Sequence, residues 1–343
     1  MILAAITTCR RNPEMLERAI KSVIAQTYTD WNLVVVDDSP ADYALRDDVR
    51  KLIEGYGEQD SRIRYVPHDT NKGVSAARNT ALKLTEEEGI YEAIAYLDDD
   101  DEWLPEKMKL QAKKLNECGE NTALVYCDFY MFDDIKGTSR EIRKSFSGDN
   151  IRQELMRYNV IGSPSFVLVR TKCLSEVGGF DVELTSGEEW DVWVRILEHY
   201  DAAYVNMPLV NYHLGHAQRI EPKDKAIAEA ARVRRDIRET LHILEKNSEY
   251  FARNKYAQWI KLSGLAASYR KNGEIAKSFK TLLKAISVQP SRVLGNLKIL
   301  LEIFIPVNVG LMWKIKEALN KIFPDRFYWF MSSCYRKMMR KFF

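Results

Sequence analysis

Cysteine is scarce and irregularly placed. The chain has five, Cys9, Cys118, Cys127, Cys173 and Cys334, with no C-x-x-C pair. An odd count at such spacing excludes a disulfide framework and a zinc ribbon, and it points to a reducing compartment. Long hydrophobic runs are also missing. The nearest candidate, Leu297 to Met312, is interrupted by Lys298 and Glu302, so no stretch of about 18 uncharged apolar residues is available to span a bilayer. The start, Met1-Ile-Leu-Ala-Ala-Ile6, has no basic segment and no cleavage signature; it reads as a strand rather than a signal peptide. Net charge is only +2, which leaves no global field to attract nucleic acid. The charge is uneven, however: residues 314–343 carry eight basic and two acidic side chains, a pattern that suits a surface-binding tail.

What is present is a regular alternation. Ile2–Ile6, Leu33–Val36, Ile63–Val66, Ala93–Leu97 and Ala123–Cys127 are short apolar runs of strand length. Between them lie helical patterns. Asn12-Pro13-Glu14 reads as an N-cap, a first-turn proline and a first-turn acid, with Leu16, Ala19, Ile20 and Val23 following at helical spacing. Further helices are expected over Val74–Glu88 and Pro105–Glu117. Such alternation implies βαβ units and a mostly parallel sheet. Later come a strand at Phe166–Val169, a helix over Val192–His199 and a strand-like stretch at Leu209–Tyr212. Beyond Pro222 the chain reads as helical. Residues 259–292 place Tyr269, Gly273, Ala285 and Pro290 as in one tetratricopeptide repeat, or in a generic helical hairpin, since a single repeat cannot bury its own face. Near the end, Phe327, Met331, Cys334, Met338 and Phe342 form one stripe and Arg336, Lys337, Arg340 and Lys341 another. That basic amphipathic helix suits an anionic membrane surface.

The run Tyr96-Leu-Asp-Asp-Asp-Asp-Glu-Trp103 carries the chemistry. Its acids lie at the carboxyl end of a buried strand, where open α/β sheets bind ligands. Adjacent carboxylates repel unless a cation neutralises them. A hard divalent ion shared with substrate phosphates is one such cation. The alternative is an acidic turn leading into the helix that starts near Pro105.

Several motifs follow in order: Thr7-Thr8, Asp37-Asp38-Ser39, Asn71-Lys-Gly-Val-Ser-Ala-Ala-Arg-Asn79, the acid cluster, Gly178-Gly-Phe-Asp181, and Glu188-Glu-Trp-Asp-Val-Trp-Val-Arg195. Over about residues 2–216 this series resembles the family 2 glycosyltransferases. The resemblance implies a GT-A fold, Rossmann-like with a mostly parallel sheet and flanking helices, over residues 1–221; the residue pattern beyond it reads as an all-α region over 222–343. It implies an inverting transfer from a nucleotide-sugar donor, a UDP-sugar by family habit, to a hydroxyl of a polysaccharide, glycolipid or lipid-linked saccharide. Thr7 and Asp38, with Asp37 beside it, would meet the nucleotide. Lys72, Arg78 or both would lie near the diphosphate, or else belong to a solvated helix N-terminus; Asp98 and Asp99 would face the donor, and Asp100 would hold Mn2+ or Mg2+. His213 or His216 would complete the metal site or be structural. Glu189 stands where the family usually has an aspartate as general base, and Asp191 is the fallback. The resemblance places the enzyme in the cytoplasm or on the inner face of the plasma membrane. A non-catalytic nucleotide-sugar-binding or partner-recruiting protein is the rival reading. A nucleotidyltransferase would need a Gly-rich N-terminal loop, which is missing.

Overall fold

The computed structural model describes residues 1–134, 137–142, 151–157, 159–184, 187–214 and 225–292. His216 and the basic tail lie outside the described residues. The elements run β1 (Ile2–Thr8), α1 (Pro13–Ile24), β2 (Trp31–Asp37), α2 (Arg46–Gln59), β3 (Ile63–Pro67), α3 (Val74–Glu88), β4 (Ala93–Asp98), β5 (Glu102–Trp103), α4 (Lys107–Glu117), β6 (Thr122–Asp133), β7 (Thr138–Ile142), α5 (Ile151–Arg157), β8 (Val167–Arg170), α6 (Thr171–Glu176), α7 (Glu188–His199) and β9 (Asp201–Leu214). Helices α8 (Lys225–Lys246), α9 (Ser248–Arg253), α10 (Lys255–Lys271) and α11 (Ile275–Val288) follow.

Among the described residues the strands form one sheet in the order β3-β2-β1-β4-β8-β6-β9-β5, with β7 added to β6. The half from β3 to β4 is parallel throughout. The other half is mixed: β8 runs antiparallel to β4 and β6, β6 is parallel to β9, and β5 is antiparallel to β9. All of β1, ILAAITT, is buried. A continuous apolar run belongs at the centre of a parallel sheet whose two faces are covered by helices. Helix α1 starts as its sequence predicts, with the Asn12 side chain accepting from the Glu14 N–H at 3.0 Å and Pro13 at the first turn.

Register fixes where the chemistry lies. Thr7 pairs with Asp98 and Thr8 with Asp37. The polar ends of β1, β2 and β4 therefore meet along one sheet edge, which is the outcome expected of right-handed crossovers. Two elements exceed their predicted length in ways that matter. Helix α7 begins at Glu188, so its acids lie in its first turn. Strand β9 extends back to Asp201 and carries His213 to the same edge as Glu102.

The chain divides into two compact units, residues 1–231 and the remainder from 232. In the second unit Val233, Ile237, Leu265 and Tyr269 form a small core, with Leu244 packed against it. Helices α10 and α11 pack together across the turn at Gly273, where φ is +81°. The Ser278 hydroxyl ties them by donating to the Ala266 carbonyl at 2.6 Å.

Candidate active site

At the end of β2 the two aspartates are buried and engaged. Asp37 accepts from the Ser39 N–H at 2.9 Å and from the Tyr65 hydroxyl at 2.8 Å. Asp38 accepts from the N–H of Lys72 at 2.7 Å and of Gly73 at 2.8 Å, and it contacts His68 Nδ1 at 2.7 Å. His68 Nε2 lies 2.9 Å from the Thr80 hydroxyl. Asp38 thus holds the entry to α3 in place, and Gly73 can take φ +90° there because it has no side chain. The Lys72 side chain is exposed beside this loop.

At the end of β4 the acids are met by arginines. Arg11, from the loop after β1, reaches Asp99 at 2.7 Å and Asp100 at 3.1 Å. Arg18 donates to the Asp100 carbonyl at 2.7 Å. Burial pushes the Asp99 carboxyl up to about 6, although Arg11 opposes the shift. Asp101 is driven up as well, first by burial and then by its neighbours Asp98 and Asp100. It accepts from the His213 N–H at 3.2 Å. The His213 ring is held on both sides, Nε2 to Glu102 at 2.8 Å and Nδ1 to Asp134 at 2.8 Å. Burial works against its charged form, and these two carboxylates together outweigh it, so its pKa is raised. Both His213 nitrogens therefore face carboxylates in this arrangement.

Arg78 lies buried between the acid cluster and the start of α7. It is 4% exposed and donates to Glu188 at 2.7 Å and to Asp98 at 2.9 Å. The sequence GGFD explains how it is packed. Gly179 has φ +66°, and a Cβ there would meet Asn79 Oδ1 at 2.5 Å. That close approach lets Asn79 bond both the N–H and the carbonyl of Phe180, at 2.8 and 2.7 Å. Phe180 in turn lies under the Arg78 guanidinium, 5.2 Å from its ring centre.

Glu189 follows Glu188 in the first turn of α7. Its Oε1 accepts from the Asn159 amide at 3.1 Å. Burial, and then the neighbouring Glu188, push its carboxyl up to about 7. A carboxylate near neutrality is what a general base requires. Asp191 is fully buried and pairs with Arg195 at 2.7 Å, so it anchors α7 internally. Trp193 is core, as its helical spacing predicts, and the Trp190 indole donates to the Leu155 carbonyl at 2.6 Å.

The structure brings Thr7, Asp37, Asp38, Asp98, Asp99 and Asp100 to one edge, and Arg78 joins that edge to Glu188, the residue before Glu189. Four further residues at the site carry no sequence signal: Arg11, His68, Asn159, and Ser163, whose hydroxyl donates to Asp98 at 2.8 Å. Arg11 stands one residue before the Asn12 cap, and no local pattern marks its partner 88 residues away. Among the described residues no three His, Cys, Asp or Glu side chains converge as a metal cage. The donors that are present still suit a hard cation held largely by phosphates, since Mg2+-type sites take only one or two carboxylates. In this arrangement the Asp100 carboxylate, 13% exposed, pairs with Arg11, and the Asp98 carboxylate, 27% exposed, pairs with Arg78.

The profile of glycosyl transferase family 2 matches residues 4–178. The chain is 28% identical over 197 residues to WfgD of Escherichia coli, a UDP-Glc:alpha-D-GlcNAc-diphosphoundecaprenol beta-1,3-glucosyltransferase, covering 56% of this chain and 68% of WfgD. It is 24% identical over 258 residues to an uncharacterized glycosyltransferase of Methanocaldococcus jannaschii, covering 75% and 83% of the two chains. Two solved structures share the fold. TarS of S. aureus in complex with UDP-GlcNAc aligns with TM-score 0.51 at 16% identity, over 86% of this chain and 92% of that one. The mannosyltransferase PcManGT of Pyrobaculum calidifontis, in complex with GDP-Man and Mn2+, aligns with TM-score 0.53 at 15% identity, over 95% and 88%. With the acid-lined edge of the sheet, these matches show a GT-A glycosyltransferase, and the chain belongs to glycosyl transferase family 2.

Proposed function

We propose that this protein is an inverting, metal-dependent glycosyltransferase that moves a sugar from a nucleotide donor, a UDP-sugar first, to a hydroxyl of a cell-envelope saccharide or lipid-linked saccharide. The observation that carries the reading is Arg78. By pairing with both Asp98 and Glu188 it ties the acid-bearing end of β4 to the helix that presents Glu189. Donor binding and proton removal are therefore built into one buried network. Support for the donor and acceptor classes comes from WfgD and from the UDP-GlcNAc complex of TarS.

In this reading the donor lies along the ends of β1, β2 and β4. Thr7, with Asp37 and Asp38 shaping the loop to α3, frames the nucleotide, and Lys72 lies on the diphosphate side. Asp98 and Asp99 face the donor, and Asp100 holds Mn2+ or Mg2+. The ion, when bound, offsets the negative charge that builds on the departing diphosphate. Glu189 takes the proton of the acceptor hydroxyl, in preference to the internally paired Asp191. The hydroxyl oxygen forms its bond to the anomeric carbon on the face opposite the leaving group. The bond from that carbon to the phosphate oxygen breaks, and the nucleoside diphosphate leaves with the electron pair.

Among the described residues no helix is long and apolar enough to cross a membrane. The stripes at residues 327–342 support contact with an anionic membrane where a lipid-linked acceptor would lie.

The test is nucleotide release from UDP-glucose, UDP-GlcNAc and GDP-mannose by purified protein, with Mn2+ and with EDTA, and with membrane extract supplying acceptors. Release of UDP that requires Mn2+ is expected. Release unaffected by EDTA would remove the metal from the reading. Donor binding without release from any of the three would favour a binding protein instead.

A further inference from the structure

We propose that Asn159 is a positioning residue for the base, holding the Glu189 carboxylate toward the acceptor side through its amide N–H. The proposal rests on the reading of Glu189 as the base. A glutamate has three side-chain torsions, and a base must be kept within hydrogen-bond reach of the proton it takes. Something must fix its oxygen, and the structure supplies a neutral donor for the purpose. Asn159 Nδ2 donates to Glu189 Oε1 at 3.1 Å, while Asn159 Oδ1 accepts from the Gly162 N–H at 2.8 Å. The amide is thus oriented from its other end, and its NH2 faces the carboxylate.

The segment that carries Asn159 is itself anchored to the site. The Gly162 carbonyl accepts from the Trp193 indole at 3.1 Å, and Gly162 takes φ +82° to make the turn. The Ser163 hydroxyl donates to Asp98 Oδ2 at 2.8 Å, and Ser165 Oγ accepts from the Asp98 N–H at 3.0 Å. One short strap therefore touches the donor-side acid at one end and the base at the other. The charged groups that bear on Glu189 are Glu188 on its own helix, Arg78 from α3 and Asp98 from the end of β4. The two anions disfavour the ionised base, while Arg78, a backbone N–H at Glu189 and the Asn159 donor favour it. Donation to a carboxylate favours its charged form.

The test is titration of the Glu189 carboxyl by NMR in protein labelled at glutamate δ-carbon, with the signal identified by its loss in Glu189→Gln. Removing the donor in Asn159→Ala should raise the midpoint by about one pH unit, a tenfold change in proton affinity. Asn159→Asp keeps the acceptor for the Gly162 N–H and nearly the same shape, so it guards against a folding defect; it places a like charge on Glu189 and should raise the midpoint further. Midpoints equal to wild type in both variants would overturn the proposal. Turnover of Glu189→Gln tests the base reading separately. Wild-type activity in that variant would remove the base reading whatever the titration shows. Its inactivity, together with unmoved midpoints, would sink the Asn159 role alone.

Discussion

Two acidic clusters, one at the end of β4 and one at the start of α7, are paired in different ways. At the end of β4, Asp98, Asp99 and Asp100 each receive an arginine: Arg78, Arg11 and, for Asp100, Arg11 with Arg18 at its carbonyl. At the start of α7, Glu188 takes the Arg78 guanidinium and Glu189 is left with a neutral amide as the partner of Oε1. The first group is paired with arginines, although burial still raises Asp99 to about 6. The second leaves one acid poised near neutrality. Sequence position alone does not separate them, since both are acidic runs at an element boundary. What separates them is where the cations point, and that depends on residues far away in the chain.

Breaking the shared cation should have the largest effect. Arg78→Leu strands Asp98 and Glu188 without their partner in a site where the guanidinium is almost fully buried. A loss of about 3–5 kcal/mol in urea unfolding is expected, the scale for breaking a buried pair. A loss below about 1 kcal/mol would show that water replaces the guanidinium there.

The Glu189 carboxyl should also make stability depend on pH. Its folded pKa, about 7, lies above the ordinary value near 4.3 for a free glutamate. The folded protein therefore binds the proton more tightly than the unfolded chain, and stability falls as pH rises from about 4.3 to about 7. Glu189→Gln removes that cost. At pH 8 the variant should be more stable than wild type by about 1–3 kcal/mol, with the gap closing below about pH 4.5. A gap that does not vary with pH would mean that Glu189 is not desolvated.

Arg11 gives a smaller effect. Arg11→Gln should destabilise the protein by about 1–2 kcal/mol at pH 7, and adding Asp99→Asn should restore part of it, because the two residues share one contact. Additive losses would mean the pair is not coupled. The smallest change is Thr80→Val, which removes the hydroxyl from His68 Nε2 and should cost about 1 kcal/mol. It tests whether the Asp38–His68–Thr80 chain braces the loop at Gly73.

Much of this fold is legible in the sequence. The apolar runs from Ile2 to Leu97 mark β1 to β4, because parallel strands covered on both faces leave continuous hydrophobic stretches. Helix α2 is less visible, with only Val49 and Ile53 buried in RDDVRKLIEGYGEQ. Strand β5 is two residues long, and its pairing with Val210 and Asn211 is a long-range event that no local period records. The site residues follow the same rule. Motif order places Asp98 to Asp100 and Glu189 on one edge. It does not tell that Asp38 is spent on backbone N–H groups, that Arg78 is buried, or that His213 lies between two carboxylates. Those facts depend on contacts spanning 34, 110 and 111 residues.

The most direct test of the account is the pH dependence of kcat/KM for UDP release with Mn2+, in wild type and in Glu189→Gln. Wild type should gain activity through a limb near pH 7, and the variant should lose about 10²–10⁴-fold in kcat with nucleotide binding retained, the range for removing a general base. A variant that keeps wild-type turnover and the same limb would contradict the assignment of Glu189 and the contrast on which it rests.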